Sequence, residues 1–336
     1  MLPLLMLPAS FVTMVSARAQ PVLPPDAPTA LVSYAEPVDF EHLESLTVRM
    51  SLNGGKPHRF LVDTGSTGIV VAARDIPAFD GKGPPGSLTY VSSGRREVGV
   101  WTTVDVALPD AQASNGAPVT ARVLVLAVTR LECTGRGVNA AGCVPTDNPT
   151  PHMLGVGFGR GNTPWTNAQQ RNVFVNIKAM ETGAMRRGYV ISPEGIRLGL
   201  SGRTLGPDWM WQKLTRRAAS EPRDWETAAG TFEIDGKPAP MGSVLIDTGL
   251  TNMMLEARNG PQTGDAPEGS RVRIGLLGGR VWYGFTVGVQ TRFTPRRTSW
   301  RLATHGTFVN TGLRALEGFD YCYDADEGWL GLRKRQ

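Results

Sequence analysis

One tripeptide, set twice in the same frame, constrains this chain more than any other feature. In FLVDTGSTGIVV, Phe60 to Val71, an aspartate ends an apolar run and is followed at once by Thr-Gly. SVLIDTGLTNMML, Ser243 to Leu255, repeats the unit: three apolar residues, Asp-Thr-Gly, one residue, a threonine, and a second apolar run. At this chain's Asp, Thr and Gly content, about 0.2 copies of the tripeptide are expected by chance. Two copies in matched frames point to an internal duplication. A single copy is accounted for by a strand-ending turn whose aspartate caps its own backbone; a matched pair calls for a chemical reason.

The surroundings predict an all-β chain. From Leu46 onward, short runs such as LTVRMSL, HRFLVDT, EVGVWTTVDVAL and ARVLVLAV are punctuated by Gly, Pro and Asn, and the same texture returns after residue 228. Only 172–182 and 208–219 read as short helices. The 336 residues suffice for two lobes of about 150 each. The expected organisation is an export signal over 1–19, an extended Pro-rich lead-in over 20–45, and lobes over 46–185 and 186–336. The signal rests on an apolar run from Met1 to about Val15 followed by Ala17-Arg18-Ala19, a small-x-small cleavage site. That run is shorter than the roughly 20 residues a membrane span needs, so no span is expected and the protein is expected to be exported, periplasmic or secreted.

Charge and metal-ligand patterns exclude other classes. The net charge of +5 comes from arginines scattered along the chain, such as Arg95, Arg96, Arg216, Arg217, Arg296 and Arg297, with no basic module for nucleic acid. His42, His58, His152 and His305 are dispersed and no HExxH or CxxC occurs, so neither a metal nor a cofactor is expected. Cys133 and Cys143 flank a Gly-rich loop and are free to bond in an oxidising compartment, whereas Cys322 reads as a small buried hydrophobe.

With these landmarks in order, the chain from about Leu46 to its end resembles the two-lobed pepsin family of aspartic proteases, in the bacterial type without a prosegment. Met153-Leu154-Gly155 resembles the hydrophobic-hydrophobic-Gly element beneath the family's first catalytic loop. Gly312 matches the second, although Asn310-Thr311 replaces the apolar pair, and Gly331 falls in the closing strand. Tyr90, before a Ser-Ser-Gly turn, resembles the tyrosine of the family's substrate-covering flap. The resemblance implies a bilobal, pepsin-like acid protease fold of two related β-barrel-like lobes with a cleft between them. Asp63 and Asp247 are then the catalytic pair, supported by Thr64, Gly65, Ser66, Thr248 and Gly249.

The chemistry needs that set. Two carboxylates about 3 Å apart cannot both ionise, so the pair holds one proton and can act as base and acid on one water. The glycines let backbone N–H groups approach the carboxylates, the threonines of the family's pattern bond across the lobe junction, and Ser66 can donate to Asp63. The matching position in the second loop is Leu250, which cannot donate, and Thr251 and Asn252 are the nearby candidates to replace it. The implied function is aspartic endopeptidase hydrolysis of extended peptide or protein substrates by a monomer. The alternative is a catalytically silent binding or inhibitor protein on the same fold. No Lys or Arg lies between Ala19 and Leu46, so no inhibitory prosegment is expected.

Overall fold

Runs that alternate apolar and polar residues form half-covered strands, and uninterrupted apolar runs form strands buried on both faces. Arg95–Ala107 is of the first kind; Thr67–Ala72 and Gly188–Ser192 are of the second. Strand far outweighs helix, and the strands lie in three large sheets. The computed structural model describes residues 20–90, 93–136, 140–160, 168–218, 224–258, 263–303 and 305–335. The expected export signal, 1–19, lies outside these.

The first sheet holds seven strands between Thr47 and Val156 and curls on itself, because Thr47–Leu52 pairs with both His58–Asp63 and Arg95–Ala107. The second, of nine strands, lies between Ala229 and Asn310. The third is composite. Its seven strands come from the start, middle and end of the chain: Ala30–Val32, Ala111–Ala113, Gly188–Ser192, Gly195–Leu198, Met210–Lys213, Phe319–Asp324 and Trp329–Lys334. The lead-in thus contributes a strand, Ala30–Val32, bonded on one side to Gly195–Leu198 and on the other to Ala111–Ala113. One contiguous apolar core runs from Ala30 to Leu332.

The duplicated tripeptide sits in duplicated topology. His58–Asp63 runs parallel to His152–Val156, which is antiparallel to Thr67–Ala72, itself parallel to Thr120–Cys133. In the second half Gly242–Leu245 runs parallel to Phe308–Asn310, which is antiparallel to Met253–Ala257, itself parallel to Thr298–Leu302. The registers agree as well: Asp63 lies opposite Gly155, and Leu245 opposite Asn310, which sets Asp247 and Gly312 at corresponding places.

One predicted helix is a strand. Within 208–219, Met210–Lys213 pairs with Trp329–Lys334, and the Trp211 ring lies on Gly331, where a Cβ would approach it to 2.5 Å. Trp209 and Trp211 are two residues apart, the strand period, and a distant partner strand outweighs the local helical pattern. Within 172–182 the helical character survives only as single turns, Val173–Val175 and Lys178–Glu181. Among the described residues no helix is long and apolar enough to cross a membrane.

Candidate active site

Each aspartate stands where a strand gives way to a turn, and each is 5% exposed. Asp63 accepts the Gly65 N–H at Oδ1 (2.7 Å) and the Ser66 hydroxyl at Oδ2 (2.6 Å). Asp247 accepts the Gly249 N–H at Oδ1 (2.9 Å). The loops interlock through their glycines. A Cβ on Gly65 would lie 2.3 Å from Asp247 Cγ, and one on Gly249 would lie 2.5 Å from Asp63 Cγ. Only residues without side chains let each carboxylate lie against the opposite loop.

Thr64 and Thr248 bind the loops together. The Thr64 N–H donates to Thr248 Oγ1 and the Thr248 N–H to Thr64 Oγ1, both at 3.0 Å. The hydroxyls then donate onward across the junction, Thr64 to the Ile246 carbonyl and Thr248 to the Val62 carbonyl (2.7 Å). Both threonines are buried, so these four bonds satisfy groups that have no access to water. Beneath the loops, Gly155 and Gly312 allow close backbone passage: a Cβ would come within 2.6 Å of Thr67 N and Asn252 O, respectively.

Leu250 does leave the second loop without a hydroxyl donor, and Asn310 fills the role. Its Nδ2 donates to Asp247 Oδ2 at 2.6 Å, while its Oδ1 accepts the Gly312 N–H at 2.9 Å, which fixes the orientation of the amide. The replacement is therefore neither Thr251 nor Asn252. Two departures visible in the sequence, Leu250 and the polar residue before Gly312, are two halves of one exchange. The signal that could have shown it is their occurrence together in the same repeat, at two of its matched positions.

Burial, and then the charge of Asp247, push the Asp63 carboxyl up to about 7, against the opposing bonds from Ser66 and Gly65. A further contact, the hydrogen bond between the two carboxyls, also favours the protonated form. The pair is thus arranged to keep one proton into the neutral range.

Asp63 and Asp247 open into a groove of about 690 Å³. Leu61, Leu88, Met153, Leu250, Met254 and Phe308 give it apolar walls, and Glu97 with Arg95 and Arg160 adds charge. Tyr90 lines the same groove from the hairpin of Pro85–Tyr90 and Arg95–Ala107. Its hydroxyl is buried and has no hydrogen-bond partner among the described residues. Burial, with the Asp63 charge second, raises its pKa, so it is a neutral donor. The residues singled out in the sequence, Asp63, Thr64, Gly65, Ser66, Tyr90, Thr248, Gly249 and Asp247, are all brought to this one place.

Away from the groove floor, Cys133 and Cys143 form a disulfide with Cα atoms 5.9 Å apart, and Cys322 is free and buried. His58 and His152, dispersed in sequence, lie together with Asp75. Comparison with known proteins finds no family model that matches the chain and no curated protein with significant similarity to its sequence.

Proposed function

We propose that this protein is an aspartic endopeptidase built on two related lobes in the manner of the pepsin family. The observation that carries this reading is the interlocked pair of Asp-Thr-Gly loops, in which each buried carboxylate covers the glycine of the other. Such a dyad, holding one proton, activates a water: the ionised carboxylate accepts its proton as it attacks the peptide carbonyl, and the protonated one donates to the carbonyl oxygen. The tetrahedral intermediate collapses as one carboxyl gives its proton to the leaving nitrogen and the other carboxylate takes one from an intermediate hydroxyl, so the C–N bond breaks and the dyad again holds one proton. Ser66 and Asn310 hold the two carboxylates in orientation from outside the pair.

The groove suits an extended peptide, whose backbone would bond along the strands while apolar walls select side chains. Tyr90, with its buried hydroxyl free to donate, covers that peptide from above. The two matched four-strand units support lobes near 46–185 and 186–336. One chain supplies both carboxylates, which favours a monomer. The disulfide, together with the apolar leader and its small-residue cleavage site, favours an exported, oxidising location.

Leu250 on its own favours a silent binding protein, and the Asn310 bond removes most of its force. The test is cleavage of a mixed peptide library between pH 3 and 8 by residues 20–336, with and without pepstatin, beside Asp63→Asn and Asp247→Asn. Pepstatin-sensitive turnover lost in both variants is expected; a folded protein without turnover at any pH would establish the binding reading.

A further inference from the structure

The far ends of the strands that carry Asp63 hold a second cluster of chemistry-bearing side chains. His58 opens the strand His58–Asp63, and His152 opens the parallel strand His152–Val156. Leu61 pairs with Met153, so His58 lies two residues before the position that faces His152, on the same side of its strand, and the two rings stack at 5.0 Å with 13° between their planes. The antiparallel pairing of Val71 with His152 returns the chain to the same end, where the single turn Ala73–Asp75 delivers Asp75. One ligand atom from each of His58, Asp75 and His152 lies within 4.8 Å of the others.

The contact within the cluster is close but poorly directed. His152 Nε2 approaches Asp75 Oδ2 to 3.1 Å, yet this buried nitrogen lacks an aligned hydrogen bond among the described residues. A nitrogen and an oxygen at that separation can both reach one small cation at about 2.1 Å. Phe60 packs edge-on against the His152 ring at 5.1 Å and fixes its plane. The Asp75 and His152 side chains keep 19% and 21% of their surface, enough for an ion to enter from solvent and to retain water in its open positions.

We propose that His58, His152 and Asp75 form a binding site for a divalent transition-metal ion of the zinc type. Two imidazole nitrogens and one carboxylate oxygen are a borderline donor set, which suits Zn²⁺, Co²⁺ or Ni²⁺ and not the all-oxygen preference of Ca²⁺ or Mg²⁺. The ion ties together three chain segments whose opposite ends build the Asp63 loop, about 17 Å away along the strand. It also borders the groove, since His152 contributes to the groove wall. The site is independent of the proteolytic reading, because nothing in it uses the aspartate pair.

The test uses the full chain after chelator treatment. Titration with Co²⁺ is expected to give one saturable equivalent, with visible ligand-field absorption that Zn²⁺ abolishes, and Zn²⁺ is expected to raise the Tm. His58→Ala, Asp75→Asn and His152→Ala should each weaken Co²⁺ binding at least about 10-fold, the smallest loss seen even for groups that only support a ligand. His42→Ala and His305→Ala should bind as the parent does. His58 is the partly exposed first residue of its strand, so His58→Ala keeps the test decisive if His152→Ala does not fold. Absence of one-to-one binding, undiminished binding by His58→Ala, or a preference for Ca²⁺ over Zn²⁺ overturns the proposal.

Discussion

The Asn310 amide donates to Asp247 across 2.6 Å, as the Ser66 hydroxyl donates to Asp63 across the same distance. The two bonds are chemically unlike but geometrically equivalent, one arising within its own Asp-Thr-Gly loop and the other from a strand 63 residues further on.

Asn310→Ala should therefore impair turnover more than folding. A hydrogen bond to a charged group contributes about 1.5–3 kcal/mol, so kcat/KM is expected to fall by roughly 10- to 150-fold. The acid limb of the pH profile should move to higher pH, because the charged form of the pair loses a donor. Adding Leu250→Thr to Asn310→Ala should recover part of the loss. Recovery is read from kcat/KM across the pH range, and its absence would mean that Asn310 acts only by packing.

On the proposed reading, the raised Asp63 pKa should set the alkaline limit of turnover. The pair must keep one proton, and that proton is lost as pH passes about 7. Turnover should therefore persist to near-neutral pH and decline above it, in a pH series with a single peptide substrate.

The same shift bears on stability. A carboxyl whose folded pKa lies above its unfolded value of about 3.9 favours the folded state at low pH and loses that contribution as pH rises. The contribution is complete below about pH 4 and is gone once pH exceeds about 7. Asp63→Asn, which cannot ionise, should unfold at a higher temperature than the parent at pH 8. Thermal melts from pH 4 to 8 should show that advantage shrinking as pH falls.

Thr64 and Thr248 make a different demand. Replacing either by Val leaves a buried N–H and a buried carbonyl without partners, at a cost of about 1–3 kcal/mol for each orphaned group. Each hydroxyl carries two of the four bonds, and the hydroxyls lie 3.4 Å apart, so the costs of the single variants should add except for a coupling between these two contacting residues. Denaturant unfolding of the three variants measures this coupling directly.

The Cys133–Cys143 disulfide lies beside the Tyr90 hairpin. Cys133 is in register with Arg95, and the Thr134 N–H donates to the Gly94 carbonyl at 2.8 Å. Replacing both cysteines by serine should cost about 2–4 kcal/mol. The loss should appear in KM for peptides more than in kcat, since the bond braces the hairpin and not the aspartates.

What the sequence discloses and what it withholds divide along chain distance. Asp63, Thr64, Gly65 and Ser66 are neighbours, so the loop they form is written in one short string, and its repetition marks the second loop. The alternation in Arg95–Ala107 and the buried run of Thr67–Ala72 are likewise local. Asn310 at Asp247, and His58 beside His152, depend on strand pairings between segments far apart, which no local pattern records. Met210–Lys213 reads as helix for the same reason: its true conformation is imposed by the strand it joins.

The composite sheet gives that distance a temporal meaning. Ala30–Val32 is fixed near one end of a ladder whose other members include Phe319–Asp324 and Trp329–Lys334, so the sheet cannot close until those distant strands have been made. Closure over so long a span is slow. During synthesis Asp63 emerges well before Asp247, so the two loops can interlock only once the second half of the chain has been made.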